Sequence, residues 1–139
     1  MYAMGHGLPR DYLQAVKWLS QAANQGNAQA ENDLGVLYEL GRGVKADPKT
    51  ASSWFRKAAE KGVGAAQLSL AMLYQEGRGV PQDPVEAFAW ANAATQYGEA
   101  HAQKLLDTVA KGLTPEQLHL AQKRAAEYER KYVAPFRTY

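Results

Sequence analysis

The chain has 139 residues, of which 46% are hydrophobic and 22% charged, with a formal net charge of +2 and no cysteine. That balance belongs to an ordinary folded domain and argues against disorder, while the missing cysteines exclude disulfides, thiolate metal sites and cysteine nucleophiles. Basic and acidic residues cancel from Met1 to Thr114 and the small basic excess lies beyond, so the body carries no electrostatic footprint for nucleic acid.

No apolar run approaches the roughly 18–20 residues of a membrane span. The chain is instead organised by a repeat. Leu34–Gly62 reappears 36 positions later as Leu70–Gly98, and most of it appears 36 positions earlier, with no gap in either direction. A fixed period of this size marks a helical array. Met1 and Tyr2 align with Leu37–Tyr38, near the end of a helix, so the first repeat is expected to lack most of its first helix. On that reading the chain is a fragment of a longer solenoid, without its targeting segment. His6 aligns with Arg42 and Arg78 and is expected in a solvated loop.

The first complete helix is predicted over residues 11–25, with Asp11 as N-cap and Gln14 at capping-box spacing. Ala15, Trp18, Leu19, Ala22 and Ala23 form an apolar stripe at helical period. Equivalent helices run from Asp47 to Lys61, with Ala51, Trp54, Phe55, Ala58 and Ala59, and from Asp83 to Tyr97, with Ala87, Trp90, Ala91 and Ala94. These are the B helices. Between them lie the A helices, about 28–40, 65–76 and 100–111, which repeat Ala30/Ala66/Ala102, Leu34/Leu70/Leu106, Leu37/Leu73/Val109 and Tyr38/Tyr74. Gly-Arg-Gly-Val loops, Gly41–Val44 and Gly77–Val80, join A to B. After Val109 the repeat decays. Thr114-Pro115-Glu116-Gln117 opens a new helix with a capping box and proline at N1. Its stripe of Leu118, Ala121, Ala125, Tyr128 and Tyr132 opposes a charged face, as a closing helix requires. Residues 133–139 read as a loose tail from which Phe136 and Tyr139 could fold back. The whole is one domain: a partial repeat at 1–27, repeats at 28–63 and 64–99, a degenerate repeat with capping helix at 100–132, and the tail.

The spaced set Leu34, Gly35, Tyr38, Gly41, Gly43, Val44, Asp47, Ala51, Trp54, Ala58, Ala59 and Gly62 resembles the Sel1-like repeat. The next copy meets it with Leu70, Tyr74, Gly77, Gly79, Val80, Asp83, Ala87, Trp90, Ala94 and Gly98, departing at Ala71 and Thr95. The resemblance implies an all-α fold, an α/α superhelical solenoid similar to tetratricopeptide repeats. It also implies a scaffold for protein–protein contacts, most often in bacterial envelope, secretion or signalling systems.

Helical geometry alone locates a free face. Ala30, Leu34, Leu37 and Gly41 share one side of the A helix, while Asn32, Val36 and Glu39 fall opposite. One repeat on these become Leu68, Met72 and Gln75, and two repeats on, Lys104, Thr108 and Lys111. By the resemblance this strip lines the concave groove, making Asn32, Val36, Glu39, Leu68, Met72, Gln75, Lys104 and Thr108 the candidate partner-binding residues. Leu68 and Met72 read either as the groove floor or as residues buried between layers. Asn32 and Lys104 read as groups able to hold a peptide backbone or a carboxylate.

Other signals lead to structure. His6, His101 and His119 are scattered, so no metal site is expected. The repeated glycine loops lack the spacing of a phosphate cradle. Trp18, Trp54 and Trp90 stand in the helical stripe and read as core. Glu86 and Glu99 read as helix-start charges. No catalytic constellation and no cofactor are expected.

The leading reading is therefore a non-enzymatic interaction module with a protein or peptide partner and neither nucleic acid nor membrane insertion. The alternative is a cell-wall activity, peptidoglycan or β-lactam binding or hydrolysis, as linked to cysteine-rich relatives. Saturable covalent labelling by a fluorescent penicillin would separate the two. The stripe of Ala15, Trp18, Leu19 and Ala22 lacks a complete preceding helix to cover it, so self-association through the N-terminal end or low solubility is expected. Sedimentation as a strict monomer at high concentration would count against that.

Overall fold

The computed structural model describes residues 9–136, which form seven α-helices and one short 3-10 turn. They are α1 (Pro9–Asn24), α2 (Ala28–Leu40), α3 (Pro48–Ala59), α4 (Gly64–Glu76), α5 (Pro84–Thr95), α6 (Ala102–Lys111) and α7 (Pro115–Tyr132), followed by Ala134–Phe136. No strand occurs among the described residues. Each helix packs on the next through α6, and α7 closes the end by packing on α5. This is the all-α, α/α repeat solenoid that the 36-residue period implies. Met1, Tyr2, His6 and Tyr139 lie outside the described residues.

The helix ends follow their local chemistry. Asp47 and Asp83 cap α3 and α5, each followed by proline in the first turn. Thr114 and Gln117 exchange both bonds of a capping box at the start of α7. α1 departs from expectation, because it starts at Pro9 and places Asp11 inside its first turn instead of at the cap. Proline's fixed φ suits a first turn, and an acidic side chain there is favoured by the helix dipole.

The core lies between the A and B layers. Ala51, Phe55, Ala58, Ala59, Ala66, Leu70, Ala71, Leu73, Trp90 and Ala91 are all fully buried in one cluster. Gly35 faces the Phe55 ring so closely that an added Cβ would lie 2.8 Å from it. One repeat on, Ala91 replaces Phe55, and the smaller side chain leaves room for Ala71 where the repeat otherwise has glycine.

The three equivalent tryptophans part company. Trp90 of α5 is fully buried against α7, its ring tilted against Tyr128 and stacked on Tyr132 at centroid distances of 4.6 and 5.3 Å. Trp54 is half-buried against the cluster of Ala23, Ala30 and Leu34, with the Lys57 ammonium 4.8 Å from its ring centre. Trp18 is 68% exposed, which corrects its reading as core. Sequence position sets the direction of the side chain, but burial needs a neighbour laid over it.

Polar staples join the repeats at a position the apolar pattern conceals. Glu31 of α2, only 2% exposed, accepts from Lys61 at 2.8 Å, and the same ammonium reaches the Gly26 carbonyl. The residue 36 positions on, Gln67, is fully buried and donates to the carbonyls of Ala59 and Tyr132. Each finds partners from another part of the chain, through Glu31 Oε2 and the Gln67 amide nitrogen, while the other oxygen of each is buried without a hydrogen bond.

Residues 133–136, read above as the start of a loose tail, are anchored. Val133 is fully buried, and Phe136 turns back to fill the space where a side chain at Gly62 would stand.

Candidate partner-binding groove

Small residues at 30, 66 and 102 and leucines at 34 and 70 hold each A helix against its neighbours. The opposite arc of α4 and α6 is thereby turned outward. Between these two helices lies a depression of ≈ 230 Å³, lined by Leu68 and Met72 of α4 and by His101, Lys104, Leu105 and Thr108 at and along α6. Met72 is 44% exposed and Leu68 half-buried, so neither is sealed between layers. The floor is apolar. Its polar rim is carried by Lys104, His101 and Thr108, although the Thr108 hydroxyl already donates to the Lys104 carbonyl at 2.9 Å.

Four of the eight candidate residues thus meet in one place: Leu68, Met72, Lys104 and Thr108. The other four do not line it. Gln75 lies a turn further along α4, half-buried, with its carbonyl accepting from Gln82. Val36 packs partly against the main core cluster. Glu39 is drawn into an ion pair with Arg78 of the next loop, at 3.4 Å. Asn32 is 7% exposed, its Oδ1 buried without a hydrogen-bond partner, which corrects its reading as a free-face residue able to hold a peptide. The cause is that α2 is packed by both α1 and α3, so residues 30–32 and 34–35 are all buried and the covered arc is wider than a narrow stripe.

His101 and Leu105 were missed. Their counterparts one repeat earlier are Ala65 and Ser69, so the periodic pattern does not mark them. The i, i+3, i+4, i+7 spacing of 101, 104, 105 and 108 on one helix would have found them.

A second hollow, ≈ 530 Å³, opens at the first complete A-to-B loop beside Tyr38, Val44, Lys45, Ala46 and Asp47. Its carboxylate is already committed. The hydroxyl and amide of Thr50 donate to Asp47 and hold its carboxyl below the usual carboxylate range.

Glu86 does more than supply a helix-start charge. It accepts from Arg124 at 2.9 Å and from the Tyr128 hydroxyl at 2.8 Å. Burial, and then the bond to Glu86, push the Tyr128 phenol well above its usual range, so it stays a neutral donor. This cluster locks α7 to α5. No group of three metal-ligating side chains is assembled among the described residues.

Comparison with known proteins bears on the fold and its class. The Sel1 repeat family model matches residues 1–27, 28–63 and 64–96. A search of curated proteins found no match. Among solved structures, the chain is similar to a protective antigen present in uropathogenic Escherichia coli strains, described as displaying an SLR fold. That match has a TM-score of 0.86 and 37% identity, and covers 88% of this chain and 27% of the antigen. It is also similar to a Sel1 repeat protein from Oxalobacter formigenes, with a TM-score of 0.69 and 33% identity, covering 85% of this chain and 51% of that one. The chain therefore spans about a quarter and about half of these two structures.

Proposed function

This chain belongs to the Sel1 repeat family, whose members typically act as non-catalytic scaffolds for protein–protein contacts, and from that premise we propose that it presents its A-helix face as a concave groove to a protein or peptide partner. The observation that carries the reading is Met72, a large apolar side chain left 44% exposed above a depression whose apolar floor it shares with Leu68 and Leu105. A solvent-facing methionine beside leucines offers an adaptable floor to a partner's side chain. Lys104 at the rim adds a charge that can fix orientation. No helix of the described residues is long and apolar enough to cross a membrane.

The test compares three forms of the chain in a pull-down from a bacterial lysate: the wild type, the double variant Met72→Glu/Lys104→Glu, and Leu120→Glu on the exposed face of α7. Both substituted residues of the double variant are exposed, so its helical circular dichroism is expected to match the wild type. A partner lost at least tenfold from the double variant and kept by Leu120→Glu is the expected result. Equal recovery by all three would overturn the groove.

A further inference from the structure

One face of α1 is open. Ala15 and Ala22 are only half-buried, although their counterparts Ala51, Ala58, Ala87 and Ala94 are fully buried. Trp18 stands between them at 68% exposure. In α3 and α5 this face packs toward the preceding A helix, α2 or α4. α1 meets α2 by its neighbouring side, through Val16, Leu19 and Ala23. The same face is therefore closed twice within the array and left open once.

The composition of the open face suits a second copy of itself. At roughly 100° per residue, the arc within about 60° of Trp18 carries one charge, Asp11. Its polar members, Gln14, Gln21 and Gln25, are exposed. The matching places on α3 hold Thr50, Lys57 and Lys61, and two such lysine-bearing faces would repel each other. Glutamine both donates and accepts, so it can meet its own kind without leaving a donor or acceptor idle.

Trp18 is also the midpoint of this arc. About a two-fold axis through Trp18, two antiparallel copies of α1 place each residue before the tryptophan opposite the one equally far after it. Gln14 then meets Ala22 of the other copy and Gln21 meets Ala15, a long side chain against a short one each time. Asp11 comes opposite Gln25. At that end the Lys61 ammonium lies 3.0 Å from the Gly26 carbonyl, and of its ion pair with Glu31 the exposed member is the cation. The charges across the two ends are thus opposite in sign.

We propose that the open face of α1 is the contact surface of a homodimer, in which two copies of this chain pair antiparallel across Trp18. The proposal is independent of the groove. A single helix face lies at the low end of interface size, so the dimer is weak and reversible.

The test is sedimentation equilibrium of the full chain over a dilution series that starts at the highest soluble concentration. A reversible monomer–dimer equilibrium is expected. Trp18→Ala should weaken it at least tenfold, as removal of a central tryptophan does, while Leu13→Ala should change it by less than about twofold. Leu13 is the control because it is equally solvent-facing but lies about 140° round the helix from Trp18. Gln25→Lys reads the orientation. Opposite Asp11 in both halves of the dimer, it should tighten association about threefold, from two exposed charge pairs. Gln25→Asp should loosen it.

Loosening by both substitutions at Gln25 would mean that like ends meet, and would overturn the antiparallel pairing. Association unchanged by Trp18→Ala, or lost equally with Leu13→Ala, would place the contact elsewhere and overturn the proposal. A strict monomer throughout the series would also overturn it, leaving an A helix of a further repeat as the occupant of this face.

Discussion

Replacing Trp90 by alanine is expected to cost about 3–5 kcal/mol of folding stability, the range for a large aromatic removed from a closed core. The indole is fully buried. Its ring stacks on Tyr132 and tilts against Tyr128, and the Arg56 guanidinium lies 5.9 Å from its centre on the other element. These contacts tie α7 to the rest of the array, so the loss should appear first as fraying of α7. A domain of this size has about 5–15 kcal/mol in total, which leaves the variant marginal.

Trp90→Phe should cost less than half as much, because it keeps an aromatic plane and removes an indole N–H that is buried without a partner. Trp18→Ala, at the same repeat position but 68% exposed, should fall within about 0.5 kcal/mol of the wild type. Urea unfolding followed by circular dichroism checks the series. Equal losses at positions 18 and 90 would mean that the repeat position and not the covering helix decides the contribution.

Gly79→Ala is the second large effect, about 3 kcal/mol or more. Gly79 has φ +75, and a Cβ there would lie 2.2 Å from the carbonyl oxygen of Pro48 and 2.4 Å from its carbon. These are backbone atoms in the first turn of α3 and cannot swing aside. The same collision recurs one repeat earlier, where a Cβ on Gly43 would meet the carbonyl oxygen of Tyr12 at 2.5 Å. Gly98→Ala separates the two causes. That residue has φ +72 with no heavy atom within 4 Å of the added carbon, so only the left-handed strain of about 1–2 kcal/mol applies. If both variants shift the urea midpoint equally, the close approach contributes nothing and the conformational cost alone is at work.

These two cases mark how far the chain could be read without coordinates. The second glycine of each Gly-Arg-Gly-Val loop was legible as a turn residue, yet its stricter duty is to let one repeat's loop slide over the preceding repeat's B helix. That contact joins residues about 31 apart and leaves no trace in local spacing. Glu31 and Gln67 were passed over for a similar reason. They interrupt no apolar stripe, and their burial depends on Ala59 and Tyr132 of other helices and on Lys61 of the turn after α3. In the groove, the rows through 68 and 72 and through 104 and 108 followed from helical angle alone. Asn32 failed because angle fixes where a side chain points and not whether a third helix covers it.

By itself the sequence determined the helices, their caps and the solenoid, because a gapless 36-residue period forces equivalent residues into equivalent local surroundings. It also determined which arc of each A helix carries the repeated small residues and leucines. The tertiary structure alone decided what each repeated position is worth. Trp18, Trp54 and Trp90 share a pattern and differ from exposed to fully buried, because burial is the work of neighbours. It also decided that four of the eight strip residues converge, on a hollow between α4 and α6.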